Sequence, residues 1–319
     1  QKKIASFKSP AMKKNLLFFA ALMLLFALKS YSQANFSTGA MKVEVGKYGK
    51  LLLYTPDDIE QLHRAMILVG TSPTTVYDHQ NDATVVDATT LVTTPVLSDF
   101  EIYAADDNSS GDPLPAVLVK LNAYGWTDKA YTIVKYNITN KETAAITATI
   151  GYEIFPTLNE EYGLDTVTFN NDKGVIRYHR GVQQQNMGVK LLSASLASLY
   201  SFEWYSEYQV DADFWTWMNK GSIEPRHLST VPDGGTISIT SQAPVTIAPG
   251  ESFTVYYALA LGADEQTMLS NIAAAELKYA GFTTSISERQ PSVNGLKNYP
   301  NPVKNATKIS YELPNDGFV

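Results

Sequence analysis

The 319-residue chain is 45% hydrophobic and 18% charged, with 19 Gly, 15 Pro and no Cys, a globular composition rather than a collagenous or disordered one. The missing cysteine excludes disulfides, thiolate metal sites, a Cys nucleophile and lipid-modified Cys. Net charge is −7; the first 32 residues carry six Lys and no acid, so the remainder stands at −13, which argues against nucleic acid and anionic membrane surfaces as partners.

The chain opens on an address. Residues 1–11 precede Met12 and read as upstream sequence. Lys13 and Lys14 then lead into an unbroken apolar run of 13 residues, 16–28. That is shorter than the roughly 18 residues a spanning helix needs. A basic start before a short apolar run is a secretory signal peptide. Ser30 and Ser32 are the small residues at −3 and −1 of a cut before Gln33.

The body, residues 33–282, reads as strands. Residues 41–45 and 51–55 flank the turn Gly46-Lys47-Tyr48-Gly49. Residues 65–70 are a short buried run. Residues 116–121 and 131–139 bracket a turn near Gly125, the second suiting a sheet with one wet face. Residues 145–155, 188–193, 236–240 and 252–262 complete the count. In the last, Phe253, Val255, Tyr257, Leu259 and Leu261 share one face, and Thr254, Tyr256, Ala258 and Ala260 the other.

Two loops are acidic. Asp106, Asn108 and Ser110 hold the 1, 3, 5 spacing of a calcium loop, with Gly111 at position 6. Position 12 is Val117, where a bidentate Glu is needed, so the EF-hand reading fails. A looser calcium site on Asp106, Asn108 and Asp112 competes with a plain solvated turn. Residues 159–165 pose the same choice, and residues 170–174 are a hairpin turn. His63, His79, His179 and His227 stand too far apart in sequence for a zinc motif. No nucleophile elbow and no phosphate-binding glycine loop is present.

Residues 200–217 are the densest feature, with eight aromatics interleaved with Glu203, Glu207, Asp211 and Asp213. Aromatic faces stack on sugar rings and acids accept from hydroxyls. Trp204, Tyr205, Trp215 and Trp217 are therefore ligand-contact candidates. The competing reading is core, because Phe202/Trp204 and Trp215/Trp217 at i, i+2 share one face of a strand. No residue is marked as catalytic.

One helix is predicted over 264–279. Asp264 caps it; Met268, Leu269, Ile272, Ala275 and Tyr279 form its apolar stripe; Gly281 supplies its stop. The body is thus all-β, a β-sandwich of the large two-sheet kind with one late amphipathic helix.

Residues 283–294 are a polar linker. In residues 295–319, Tyr299-Pro300-Asn301-Pro302 forces an extended entry and Ile309, Tyr311 and Leu313 alternate as a strand. Pro314 to Gly317 is a turn. Leu296, Asn298, Tyr299, Pro300, Asn301, Pro302, Thr307, Ile309, Tyr311, Leu313, Pro314, Gly317 and Val319 carry a resemblance to the C-terminal sorting domain of the type IX (Por) secretion system of Bacteroidota. Val303 stands where that family usually has Phe. The chain stops where the family continues through further strands, so the tail reads as a truncated sorting domain. The resemblance implies the Sec translocon, signal peptidase and the type IX machinery as partners. It implies passage through the periplasm to the outer cell surface or the medium, with no transmembrane span. The expectation is a non-catalytic binding or adhesion module, with an extracellular glycan as candidate ligand and calcium as the one cofactor left open. The alternative is a polysaccharide-active or other secreted hydrolase.

Overall fold

The computed structural model describes residues 33–111, 114–181, 185–205, 208–232, 234–286, 297–299 and 308–310. The strands, in chain order, are β1 (Ala34–Ser37), β2 (Lys42–Val45), β3 (Leu51–Tyr54), β4 (Glu60–Ser72), β5 (Thr75–Tyr77), β6 (Thr84–Leu91), β7 (Phe100–Asp107), β8 (Val117–Gly125) and β9 (Tyr131–Asn140). They continue with β10 (Ile146–Pro156), β11 (Thr166–Asn170), β12 (Val175–His179), β13 (Asn186–Leu191), β14 (Leu196–Glu203), β15 (Arg226–Leu228), β16 (Thr236–Gln242), β17 (Val245–Ile247) and β18 (Ser252–Gly262). Two helices, α1 (Asp211–Met218) and α2 (Glu265–Ile286), interrupt them.

These strands form two nine-stranded sheets. The first runs β1-β2-β3-β4-β10-β16-β14, with β5 on β4 and β17 on β10. The second runs β15-β11-β12-β13-β18-β9-β8-β7-β6. The expected two-sheet β-sandwich with a late helix is what the chain forms. Its main core lies between the sheets, where Tyr152 of β10 stacks on Tyr257 of β18 with ring centroids 4.1 Å apart. Among the described residues, no helix is long and apolar enough to cross a membrane.

Strand β18 shows how the alternation acts. Val255, Tyr257, Leu259 and Leu261 enter the main core, while Tyr256, Ala258 and Ala260 face α2. The wet face expected for β9 is dry at its start, because Tyr131 and Ile133 lie in the cluster that α2 joins. Asp264 Oδ1 accepts from the Thr267 amide at 2.7 Å, the expected cap. The helix does not stop at Gly281, however; it continues to Ile286. Phe282 packs at 5.3 Å on Tyr124 and 6.1 Å on Trp126, and that burial outweighs the helix-breaking tendency of one glycine. The linker boundary therefore moves, since residues 283–286 are helical.

A second correction concerns residues 211–218. They form α1, not a strand, so Trp215 and Trp217 do not share a face by period 2. Phe214, Trp217 and Met218 are the buried residues, at the i, i+3, i+4 spacing of a helix. They cap the outer face of the first sheet together with Phe202, Tyr208, Ile237 and Ile239. Each helix seats a methionine on a glycine. A Cβ on Gly151 would collide with Met218, and one on Gly188 with Met268. Glycine is needed at both because helix and sheet approach that closely.

In the tail, β19 (Lys297–Tyr299) pairs antiparallel with β20 (Lys308–Ser310), Tyr299 opposite Lys308. The remaining sorting-motif residues, Pro300, Asn301, Pro302, Tyr311, Leu313, Pro314 and Gly317, lie outside the described residues.

Candidate functional site

The outer face of the first sheet carries an open cavity of about 350 Å³, walled by His63, Arg64, Phe155, Tyr162, Trp204, Gln209 and Gly234. A β-bulge builds it. On β4, Arg64 pairs with Phe155 but Leu62 pairs with Pro156, so His63 has no partner across that ladder. Pro156 has no amide hydrogen to give a regular ladder. The extra residue turns two neighbours, His63 and Arg64, toward the same cavity; bulges are common at sites for this reason.

Arg64 is held rigidly. Its Nε donates to Glu153 Oε2 at 3.0 Å and its Nη2 to Glu153 Oε1 at 2.9 Å. The Tyr208 hydroxyl donates to the same carboxylate at 2.6 Å. The guanidinium lies 5.2 Å from the Phe155 ring centre and 5.7 Å from that of Tyr208. Glu153 is fully buried, and burial pushes its carboxyl up while Arg64 opposes. Bidentate contact is the geometry of an ionised pair. Arg64 Nη1 makes no hydrogen bond among the described residues, so the pair leaves a fixed donor at the cavity wall.

His63 has a separate support. Its Nδ1 lies 3.0 Å from Glu60 Oε1 and 3.2 Å from the Tyr162 hydroxyl, and its Nε2 is 3.4 Å from Lys50 Nζ. Burial would raise Glu60, but hydrogen bonds from His63 and Thr157 outweigh it and hold the carboxyl below its usual range. Burial lowers Lys50.

The aromatic candidates divide. Trp204 is 41% exposed and lines the cavity. Tyr205 is 43% exposed and donates to Asp213 Oδ2 at 3.2 Å. Trp217 is buried and stacks on Phe202 at 4.2 Å, so its faces are taken up by the core, and Trp215 is half-buried against the same cluster. The interleaved acids are tied to protein: Glu203 accepts from Ser229 Oγ and the Thr230 amide, and Asp211 from the Val76 amide. Glu207 lies outside the described residues.

Two of the three calcium candidates, Asp106 and Asn108, lie among the described residues. Asp106 faces a void of about 10 Å³ shared with Tyr77 and His79. Asn108 donates to the Pro115 carbonyl and accepts from the Val117 amide, so its amide group clamps the loop. Asp112 lies outside the described residues. Among the described residues no group of three or more His, Asp or Glu side chains is arranged to hold a metal ion.

Burial, then neighbouring Asp107, pushes Asp106 up to about 7. Burial also acts on Asp107, but Lys141 at 2.7 Å and Ser109 hold it low. The folded pKa of Asp106 thus exceeds the unfolded value near 3.8. Its contribution favours folding below pH ~4 and is lost as pH rises through about 7. Replacing Asp106 with Asn is expected to flatten the stability profile between these limits and raise stability at pH 8 by up to about 4 kcal/mol. Thermal melts of parent and variant at pH 5 and 8 check this, and parallel profiles would contradict it.

His63, Arg64, Phe155, Tyr162 and Gln209 are site residues that sequence reasoning missed. The available signals were Glu153, the lone charge in the stretch 146–156, and the proline that ends it.

No protein-family model matches the chain, and no curated protein matches it. Solved structures do. A bacterial glucoamylase complexed with acarbose aligns at 10% identity and a TM-score of 0.56, over 81% of this chain and 36% of that one. The chain therefore spans about a third of that enzyme, and the likeness establishes a shared fold. A putative aldose 1-epimerase from Escherichia coli K12 aligns at 12% identity and a TM-score of 0.43, over 72% of this chain and 99% of that one. A galactose mutarotase-like protein from Lactobacillus casei aligns at 9% and 0.45, over 72% and 100%.

Proposed function

We propose that the protein is an exported, non-catalytic β-sandwich that binds carbohydrate in the cavity at His63 and Arg64. One observation carries the reading: the exposed Trp204 ring shares a cavity wall with the fixed Arg64 donor. An apolar plate beside convergent polar groups is what a sugar ring needs, since it presents CH faces and hydroxyl edges together. A fold shared with a glucoamylase complexed with acarbose is in keeping with this ligand class. The binding reading stands ahead of hydrolysis because no carboxylate lines the described wall of the cavity, whereas glycoside hydrolysis ordinarily uses two. Export rests on the apolar run 16–28 behind Lys13 and Lys14, and on the Tyr299-Pro300-Asn301-Pro302 tail.

Expression in a bacterium with type IX secretion, followed by screening of the recovered protein on a glycan array, tests both halves. The expected product lies outside the cytoplasm with its N-terminus near Gln33 and binds saccharides. Trp204→Ala is expected to weaken that binding at least tenfold at an unchanged melting temperature. Cytoplasmic retention of residues 16–28 would overturn export. A blank array, or parent-like binding by the variant, would overturn the ligand assignment.

A further inference from the structure

The cavity at His63 and Arg64 has a neighbour. Tyr162 also walls a second open cavity, of about 430 Å³, with Glu160, Glu161, Leu164, Arg180 and Pro232. The Tyr162 ring is thus a ridge common to both. It is 38% exposed, packs on Phe155 at 5.4 Å and is tied through its hydroxyl to His63.

The loop bearing Tyr162 is unusual in its backbone. Asn159, Glu160 and Leu164 have φ of 57°, 62° and 56°, in the left-handed region that side chains disfavour. Such conformations persist only where the surroundings impose them. Arg180 imposes this one. Its Nε donates to Asp165 Oδ1 at 3.2 Å, and its other nitrogens donate to Glu161 and to the Gly163 carbonyl. On the other side Gly163, at φ 72°, lies so close to the backbone of Val231 and Pro232 that no Cβ fits. The loop is stapled from both sides, and the staples fix the ridge.

We infer that the ligand is an oligosaccharide chain that crosses Tyr162, with one sugar unit in each cavity and the ring as the stacking surface between them. This rests on the carbohydrate reading and adds chain length to it. Each cavity alone lies within the ~300–1,000 Å³ of ordinary small-molecule sites, so a single sugar occupies one and leaves the other to water. Once the first unit is bound, a linked second unit enters at the high effective concentration set by its linkage. Arg180 both positions the loop through its three contacts and lines the second cavity.

Titration calorimetry with glucose, maltose and maltotriose, and with the matching cello- and xylo-series, reads this directly. The expected result is at least tenfold tighter binding of a trisaccharide than of its monosaccharide. Pro232→Trp, which places a ring in the second cavity, is expected to abolish that gain, and the monosaccharide titration of the same variant reports whether the first cavity is intact. Tyr162→Ala is expected to weaken the trisaccharide at least tenfold. Equal affinity for both lengths, or a gain that survives Pro232→Trp, would overturn the chain assignment and leave the carbohydrate reading standing. Failure of every saccharide at every length would overturn both.

Discussion

Trp217→Ala is expected to cost about 3–5 kcal/mol, the usual penalty for truncating a buried aromatic. The residue is 8% exposed, stacks on Phe202 at 4.2 Å and meets Phe214 edge-on at 6.2 Å. It joins α1 to β14, so its loss opens the cluster that seats the helix. A domain of ordinary stability has only about 5–15 kcal/mol in total, so the melting temperature should fall by roughly 10 °C. Trp204→Ala is the matched control, since that ring is 41% exposed. Calorimetric melts of both variants decide the matter. A Trp217→Ala protein melting like the parent would show that α1 is not held by this cluster.

The contrast between these two tryptophans shows what could be read from sequence. Strand β18 was legible because its residues alternate without interruption, and from Val255 onward both of its faces are buried in the expected sets. The cap at Asp264 was legible because capping is local chemistry. In residues 200–217 two periods coexist. Trp215 and Trp217 suggest a strand, whereas Phe214, Trp217 and Met218 suggest a helix, and an eight-residue segment is too short for the pattern alone to decide. Asp211 and Asp213 in the first turn, favourable at a helix N-terminus, were the deciding local signal. The site was hidden for another reason. Arg64 and Glu153 are 89 residues apart in sequence, and His63 reaches the cavity only because the ladder slips at Pro156. Neither a long-range pairing nor a register shift leaves a periodic trace.

Removing one partner of the Arg64–Glu153 pair is expected to be as costly as removing Trp217, and for a different physical reason. Arg64→Met leaves a carboxylate with no exposure and only Tyr208 as hydrogen-bond donor. An uncompensated buried charge costs about 3–5 kcal/mol. The deficit should shrink at low pH. Burial already raises the Glu153 pKa, and losing Arg64 raises it further, so the folded variant gains stability on protonation and loses it as pH rises. Adding Glu153→Leu removes the stranded charge, and the double variant is expected to recover part of the lost stability, since an apolar replacement of a buried pair is often neutral but the buried Tyr208 hydroxyl loses its acceptor. The two substitutions are therefore strongly non-additive, as expected for groups in direct contact. Saccharide binding should not return with stability, because the double variant still lacks the Arg64 donor. Urea unfolding at pH 5 and 8, with calorimetric binding of the best array ligand, separates the two roles. A double variant as unstable as Arg64→Met would show that the buried charge was not the cost. One that regains both stability and binding would show that Arg64 supports the fold without touching the ligand.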